Sequence, residues 1–177
     1  LDCRFKVAAT NVAEENQERK PGKRTRMTNP NEIATEVHEF VGHCKTVILS
    51  TVSELGEPNA SYAPFVQEGG AFYVLISGLA KHTSNLLTTG QCHAMFIADE
   101  KESANVFARK RVSYACDVAV VPREESVAKV VFDQMHKRFG PTIGMLVGLP
   151  DFRLVRLVPG EGVWVRGFAQ AIPVRGF

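Results

Sequence analysis

The sequence has few of the marks that would settle its chemistry at a glance. Its four cysteines, Cys3, Cys44, Cys92 and Cys116, form no C-x-x-C pair, which disfavours a zinc knuckle. Cys44, Cys92 and Cys116 each sit in or beside an apolar segment, which reads as reduced, buried thiols. There is one tryptophan, Trp164. No G-x-G-x-x-G run and no P-loop occur, which disfavours a Rossmann or Walker nucleotide site. No apolar stretch reaches the ~18 residues that span a bilayer. The N-terminus has no apolar core of a secretory signal. A net charge of +2 is too small to argue for nucleic acid. Spacing alone builds no Ser-His-Asp or Cys-His arrangement, and no metal-ligand set. A soluble, cytoplasmic protein with no membrane or nucleic-acid partner is the expectation.

What is present is enough for one domain: 177 residues, 45% hydrophobic and 23% charged. Residues 1–27 are polar around Glu14 to Arg24 and lack apolar periodicity, which predicts a flexible N-terminal arm. Residues 28–177 form the domain. Asn29-Pro30-Asn31-Glu32 opens a helix: a capping side chain, a proline at the first position, and a glutamate at the third. Ile33, Val37, Phe40, Val41 and Cys44 then recur at helical spacing.

Strand signals follow. Thr46 to Val52 is β-branched and apolar; Ala60 to Val66 is a second strand in which Pro64 predicts an edge or a bulge. Glu68-Gly69-Gly70 is a tight turn into Phe72 to Ser77. Lys81 to Leu87 reads as a short helix, His93 to Ala98 as a strand, Glu100 to Lys110 as a helix, and Arg111 to Val120 as a strand. Glu124 to Phe139 is an amphipathic helix burying Val127, Val130, Val131, Met135 and Phe139, stopped by Gly140 and Pro141. The last segment predicts a hairpin, Phe152 to Val158 and Val163 to Val174, turning at Pro159-Gly160-Glu161-Gly162. About seven strands and three or four helices, joined by short turns, make an antiparallel meander closed into a barrel. Trp164 is expected in dimer packing. His38, His43, His93 and His136 are expected in surface or packing roles.

Four ordered blocks carry a resemblance to a known family: Asn59 to Val66; Phe72 to Ser77 running on to Lys81-His82-Thr83-Ser84-Asn85-Leu86; Val106 to Arg111; and Asp151 to Leu157 with Gly167 to Ala171. Together they resemble the HugZ/HutZ-type haem-utilisation proteins of the pyridoxamine 5'-phosphate oxidase-like, FMN-binding split-barrel superfamily. The resemblance implies a mainly β (α+β) fold: a six- to seven-stranded antiparallel split barrel with flanking helices, homodimeric, with cofactor sites at the subunit interface. It implies FMN or haem as cofactor. Ser77, Lys81, His82 and Arg111 match the positions that hold the FMN phosphate in flavin-binding relatives. Ser61, Tyr62 and Ala63 match the strand along the flavin ring. A phosphate needs cations and hydroxyls converging near a helix start, which agrees. Pyridoxamine-phosphate oxidases usually carry Arg-Lys where this chain has Lys81-His82, and histidine is a pH-dependent anion ligand. Asp151 matches an aspartate that tunes the axial histidine of haem-binding relatives. In those relatives the histidine lies on a C-terminal tail; no histidine follows His136 in these 177 residues, which leaves two alternatives, a tail not included here or a member that does not ligate haem that way. The implied activity is that of a redox protein of haem utilisation, an oxidoreductase of haem oxygenase-like or FMN-dependent type. The alternatives are an FMN-dependent oxidoreductase of pyridoxamine-phosphate oxidase type and a non-catalytic haem or flavin carrier. No catalytic residue is assigned.

Overall fold

The computed structural model describes residues 29–177. The expected arm, residues 1–27, lies outside the described residues.

Helix α1, Pro30–His43, starts where the cap predicts: the Asn29 side chain accepts a hydrogen bond from the Asn31 amide. It buries Ile33, Val37 and Val41. Strands β1 (Thr46–Val52), β2 (Pro58–Glu68) and β3 (Ala71–Ser77) follow as antiparallel neighbours. Gly69 and Gly70 hold φ of 55° and 75° in the β2–β3 turn, a backbone that side-chain-bearing residues adopt at a cost. Helix α2, Lys81–Thr89, ends on Gly90 at φ 67°. Strands β4 (Gln91–Ile97) and β5 (Arg111–Val121) are next, then α3 (Ser126–Phe139), α4 (Thr142–Gly148), β6 (Phe152–Gly167) and β7 (Gln170–Arg175).

The sheet order is β3-β2-β1-β4-β5-β6-β7, and β3 also pairs with β6. Six strands therefore close an antiparallel barrel, and β7 is appended to β6. Closure removes the open edges that would otherwise invite pairing. The interior holds Phe65, Phe72 and Phe96 in mutual aromatic contact, with Leu49, Val74, Ala94, Val112, Tyr114 and Leu157. A second core lies outside the barrel wall, where α3 and α4 cover Val66, Tyr73, Leu75, Val121 and Leu154.

Several expectations are corrected. Pro159 to Gly162 is no turn: β6 runs straight through it, and the chain reverses at Phe168-Ala169 instead, with Ala169 at φ 56°. The β5–β6 register shifts between Tyr114 and Cys116, opposite this run. The glycines serve that irregularity. A Cβ on Gly162 would collide with the Ser113 carbonyl and the Tyr114 ring. Residues 100–110 form two single 3-10 turns, Glu100–Glu102 and Val106–Ala108, rather than a helix. Asp99 and Asn105 each cap their own turn, and this local capping wins where no apolar stripe holds a longer helix. β2 is not an edge strand. Pro64 sits where its pairing passes from β1 (Thr46↔Pro64) to β3 (Phe65↔Val74), so the missing N–H falls at a changeover. Val130 of α3 is exposed and Ala128 is buried in its stead. Trp164 is 2% exposed, packed on Phe40 and donating to Glu36, so it is a core residue of its own chain. Helix α4 was not signalled by the sequence.

Candidate functional site

The residues singled out from the sequence lie toward two ends of the barrel. At the first, the β3–α2 turn brings Ser77, Lys81, His82 and Asp151 together. Ser77 Oγ donates to Asp151 Oδ2 at 2.8 Å and accepts from the Leu79 amide at 3.2 Å. The Gly78 amide donates to the Asp151 carbonyl at 2.7 Å. A Cβ on Gly78 would stand 3.0 Å from that carbonyl, so the turn is packed against Asp151. Thr83 Oγ1 donates back to the Ser77 carbonyl at 2.6 Å and locks the first turn of α2. The Ser77 hydroxyl is therefore committed to Asp151, and the two residues form one unit.

α2 packs over β1 and β2. Asn85 Nδ2 donates to Thr51 Oγ1 at 3.0 Å beneath it, and Leu86 enters the barrel core. Ala80 caps α2 without a side-chain hydrogen bond; the Thr83 amide donates to the Ala80 carbonyl at 3.0 Å, which leaves the Lys81 and His82 amides of the first turn open to an anion. Among the described residues, four buried side-chain polar atoms have no partner; three of them are Asn59 Oδ1, Ser61 Oγ and His82 Nε2. They lie on β2 and on the start of α2, the two elements that meet here. Buried polar groups are otherwise nearly always satisfied, so these atoms are candidate partners for a ligand or an ordered water. Burial holds His82 below its usual 6.5, which keeps the ring neutral at pH 7 with one N–H to donate. Lys81 Nζ is exposed and pairs loosely with Glu57 at 3.4 Å. Asn59 was not singled out from the sequence; only its inward place beside Ser61, two residues along β2, could have suggested it.

The strand run Ser61 to Ala63 divides. Ala63 is 3% exposed in the core and Ser61 shares its face, whereas Tyr62 points outward and is 69% exposed. Tyr62 can meet something outside the barrel, and the sealed Ala63 cannot.

Arg111 lies at the other end. β4 pairs with β5 from Gln91↔Asp117 to Ile97↔Arg111, and α2 leads directly into the Gln91 end. Six residues of strand separate the two ends, about 20 Å. A single chain does not bring Arg111 to Lys81 and His82. Arg111 donates to the Arg109 carbonyl at 3.0 Å; Arg109 in turn donates to the Ala98 carbonyl and to Glu100. Arg109 and Lys110 line an open cleft of 1460 Å³ with Lys45, Trp164 and Arg166. Among the described residues no cluster of three or more His, Cys, Asp or Glu side chains could hold a metal, and no helix is long and apolar enough to cross a membrane.

Between these ends, no helix among the described residues covers the middle of the outer face of β2-β1-β4-β5-β6. The register sets Tyr62, Ile48, Met95, Ser113 and Val163 side by side across five strands. Tyr62 and Val163 are exposed, and Ile48 and Met95 partly so.

Comparison with known proteins assigns the chain. Residues 33–164 match the family described as pyridoxamine 5'-phosphate oxidase. A protein of Vibrio cholerae named heme oxygenase HutZ is 44% identical over 144 residues, 81% of this chain and 82% of that one. A crystal structure of HutZ from Vibrio cholerae, described as a heme storage protein, aligns with a TM-score of 0.68 at 38% identity, covering 80% of this chain and 93% of that one. A crystal structure of ChuZ from Campylobacter jejuni aligns with a TM-score of 0.76 at 31% identity, covering 84% and 61%. The chain belongs to the pyridoxamine 5'-phosphate oxidase family, in its HugZ/HutZ-type branch.

Proposed function

We propose that this chain is a haem-utilisation protein whose site is completed by a second copy. The observation that carries this is the pair of unpartnered buried atoms, Ser61 Oγ and His82 Nε2, beside the open first turn of α2. Lys81, His82 and Ser61 would hold the anionic group of the cofactor, a haem propionate or a flavin phosphate. Lys81 supplies charge, the neutral His82 ring a directed N–H, and Ser61 a hydroxyl. Asp151, fixed by Ser77 and Gly78, would orient a donor at the cofactor. Bound here, haem or flavin would supply the electron-transfer chemistry of the site.

The second copy follows from the two ends. A two-fold axis through the bare outer face, with strands antiparallel, lays the Arg111 end of one copy over the Lys81 end of the other. The partner's Arg111 then faces Lys81 and His82, and Tyr62 and Met95 are covered. The dimer also closes the crevice to water.

The relatives carry two descriptions, oxygenase and storage protein. An oxidoreductase acting on haem is the reading adopted here. FMN is the second reading, favoured by the orphaned donors at a helix start, the arrangement that suits a phosphate ester. An absorption titration of the purified protein with haemin and with FMN tests both. A Soret band with haemin supports the first reading, and loss of that band on adding reductant and O₂ marks turnover. A retained band marks storage. A flavin spectrum without a haem band favours FMN. Failure of both ligands to bind overturns the proposal.

A further inference from the structure

Cys92 and Cys116 stand directly opposite each other on β4 and β5. The Val118 amide donates to the Gly90 carbonyl at 2.8 Å, and the Ala98 amide to the Lys110 carbonyl at 2.9 Å. In an antiparallel ladder hydrogen-bonded pairs alternate, so Cys92 and Cys116 are such a pair, with Cα atoms about 5.5 Å apart. A disulfide spans Cα separations of roughly 4.4–6.8 Å. Residues opposite one another in a ladder point to the same side, here inward: Cys116 is 3% exposed in the core, and the half-buried Cys92 packs against it. Both are free thiols. Neither takes part in the site described above.

We propose that Cys92 and Cys116 form a dithiol site that a hydroperoxide oxidises reversibly to a cross-strand disulfide. The chemistry is ordered by the pair itself. Cys116 is buried, its thiol donating to the Tyr114 carbonyl at 3.6 Å, whereas Cys92 is only half-buried, so an oxidant reaches Cys92 first. Cys92 is thus the nucleophile, and the neighbouring Cys116 draws its thiol below the usual range. Its thiolate attacks the peroxide O–O bond, giving a sulfenic acid and releasing water or an alcohol. The Cys116 sulfur then displaces hydroxide from that sulfenic acid, and the hydroxide leaves as water with the Cys116 proton. The sum is two thiols and one hydroperoxide to one disulfide, one alcohol or water, and one further water. An excess of added thiol reverses the bridge by thiol–disulfide exchange. It would staple β4 to β5 two residues beyond Gly90, where α2 ends. Cys44, whose thiol burial pushes up, serves as an internal control.

The test treats the full chain with a small excess of hydrogen peroxide, unfolds it in a maleimide, and maps the peptides by mass. Two of the four thiols should escape alkylation. The Cys92 and Cys116 peptides should be linked, and dithiothreitol should restore them. Cys92→Ser should abolish the link with Cys116 still alkylated; Cys116→Ser should leave a Cys92 sulfenic acid that dimedone traps. The wild-type map decides even if a serine variant fails to fold. Four alkylated thiols after peroxide, a link to Cys3 or Cys44, or over-oxidation of Cys92 without any bridged form would overturn the proposal.

Discussion

The two ends of the barrel are built on different principles. At the Lys81 end, a short helix lies over the strands, and polar atoms are fixed yet left unpartnered: Asn59 Oδ1, Ser61 Oγ and His82 Nε2. At the Arg111 end, the charged groups are exposed or half-buried and already engaged, Arg109 with the Ala98 carbonyl and Glu100, and Arg166 with Glu36. One end holds unpartnered polar atoms; the other presents cations on a rim. The lesson is that the proposed site needs groups from both ends, which a strand's length keeps apart within one chain.

The largest expected effect comes from separating the copies. Charges in the bare stripe, Ile48→Asp with Met95→Asp, replace partly exposed apolar side chains, so the barrel should still fold. Light scattering should show a monomer. Cofactor affinity should fall about 100-fold, roughly 2.7 kcal/mol. A monomer that binds as tightly as wild type would erase the distinction between the ends.

A smaller effect should fall on one end alone. The Arg123 guanidinium donates to the carbonyls of Val147, Leu149 and Phe152, flanking Asp151 on both sides. Arg123→Ala should cost about 1 kcal/mol of stability, discounted because the group is solvent-exposed. It should loosen Asp151 while leaving the Arg109–Glu100 end intact. Urea denaturation and the spectrum of the bound cofactor read the two consequences separately.

The smallest effect is a pH dependence confined to the Lys81 end. Burial depresses His82, so the unfolded chain takes up a proton that the folded chain resists. Its contribution to stability is whole above pH 6.5 and is lost as pH falls from there through the depressed folded value. His82→Gln should flatten that part of the profile, read as the urea midpoint between about pH 7.5 and about pH 5. Bound anion should oppose the loss, because it favours the protonated ring.

Much of this was legible in the residues. The Asn29-Pro30 cap, the Gly69-Gly70 turn and the alternation of β1 each name their element, because local chemistry and tertiary packing agree there. Pro159 to Gly162 misled because glycine serves two ends, a turn or a close approach, and only the Tyr114 ring on the facing strand distinguishes them. Residues 100–110 misled because a charged run with no apolar stripe leaves the choice to the caps at Asp99 and Asn105. The family blocks set Lys81, His82 and Arg111 in one list. They could not show that a strand's length separates them, since that follows from the β4–β5 register. Nor could alternation alone tell that Ala63 is sealed in the core while Tyr62 faces out, because both faces of this barrel wall carry apolar groups.

Mixed dimers test the central claim most directly. One chain carries Lys81→Ala with His82→Ala; the other carries Arg111→Ala. Each alone should bind haemin or FMN poorly. Unfolded together and refolded at equal amounts, half the dimers are mixed, and each mixed dimer has one intact site, so about a quarter of all sites should regain wild-type affinity. No recovery in the mixture, with both parents weak, would place the site within a single chain and contradict the account.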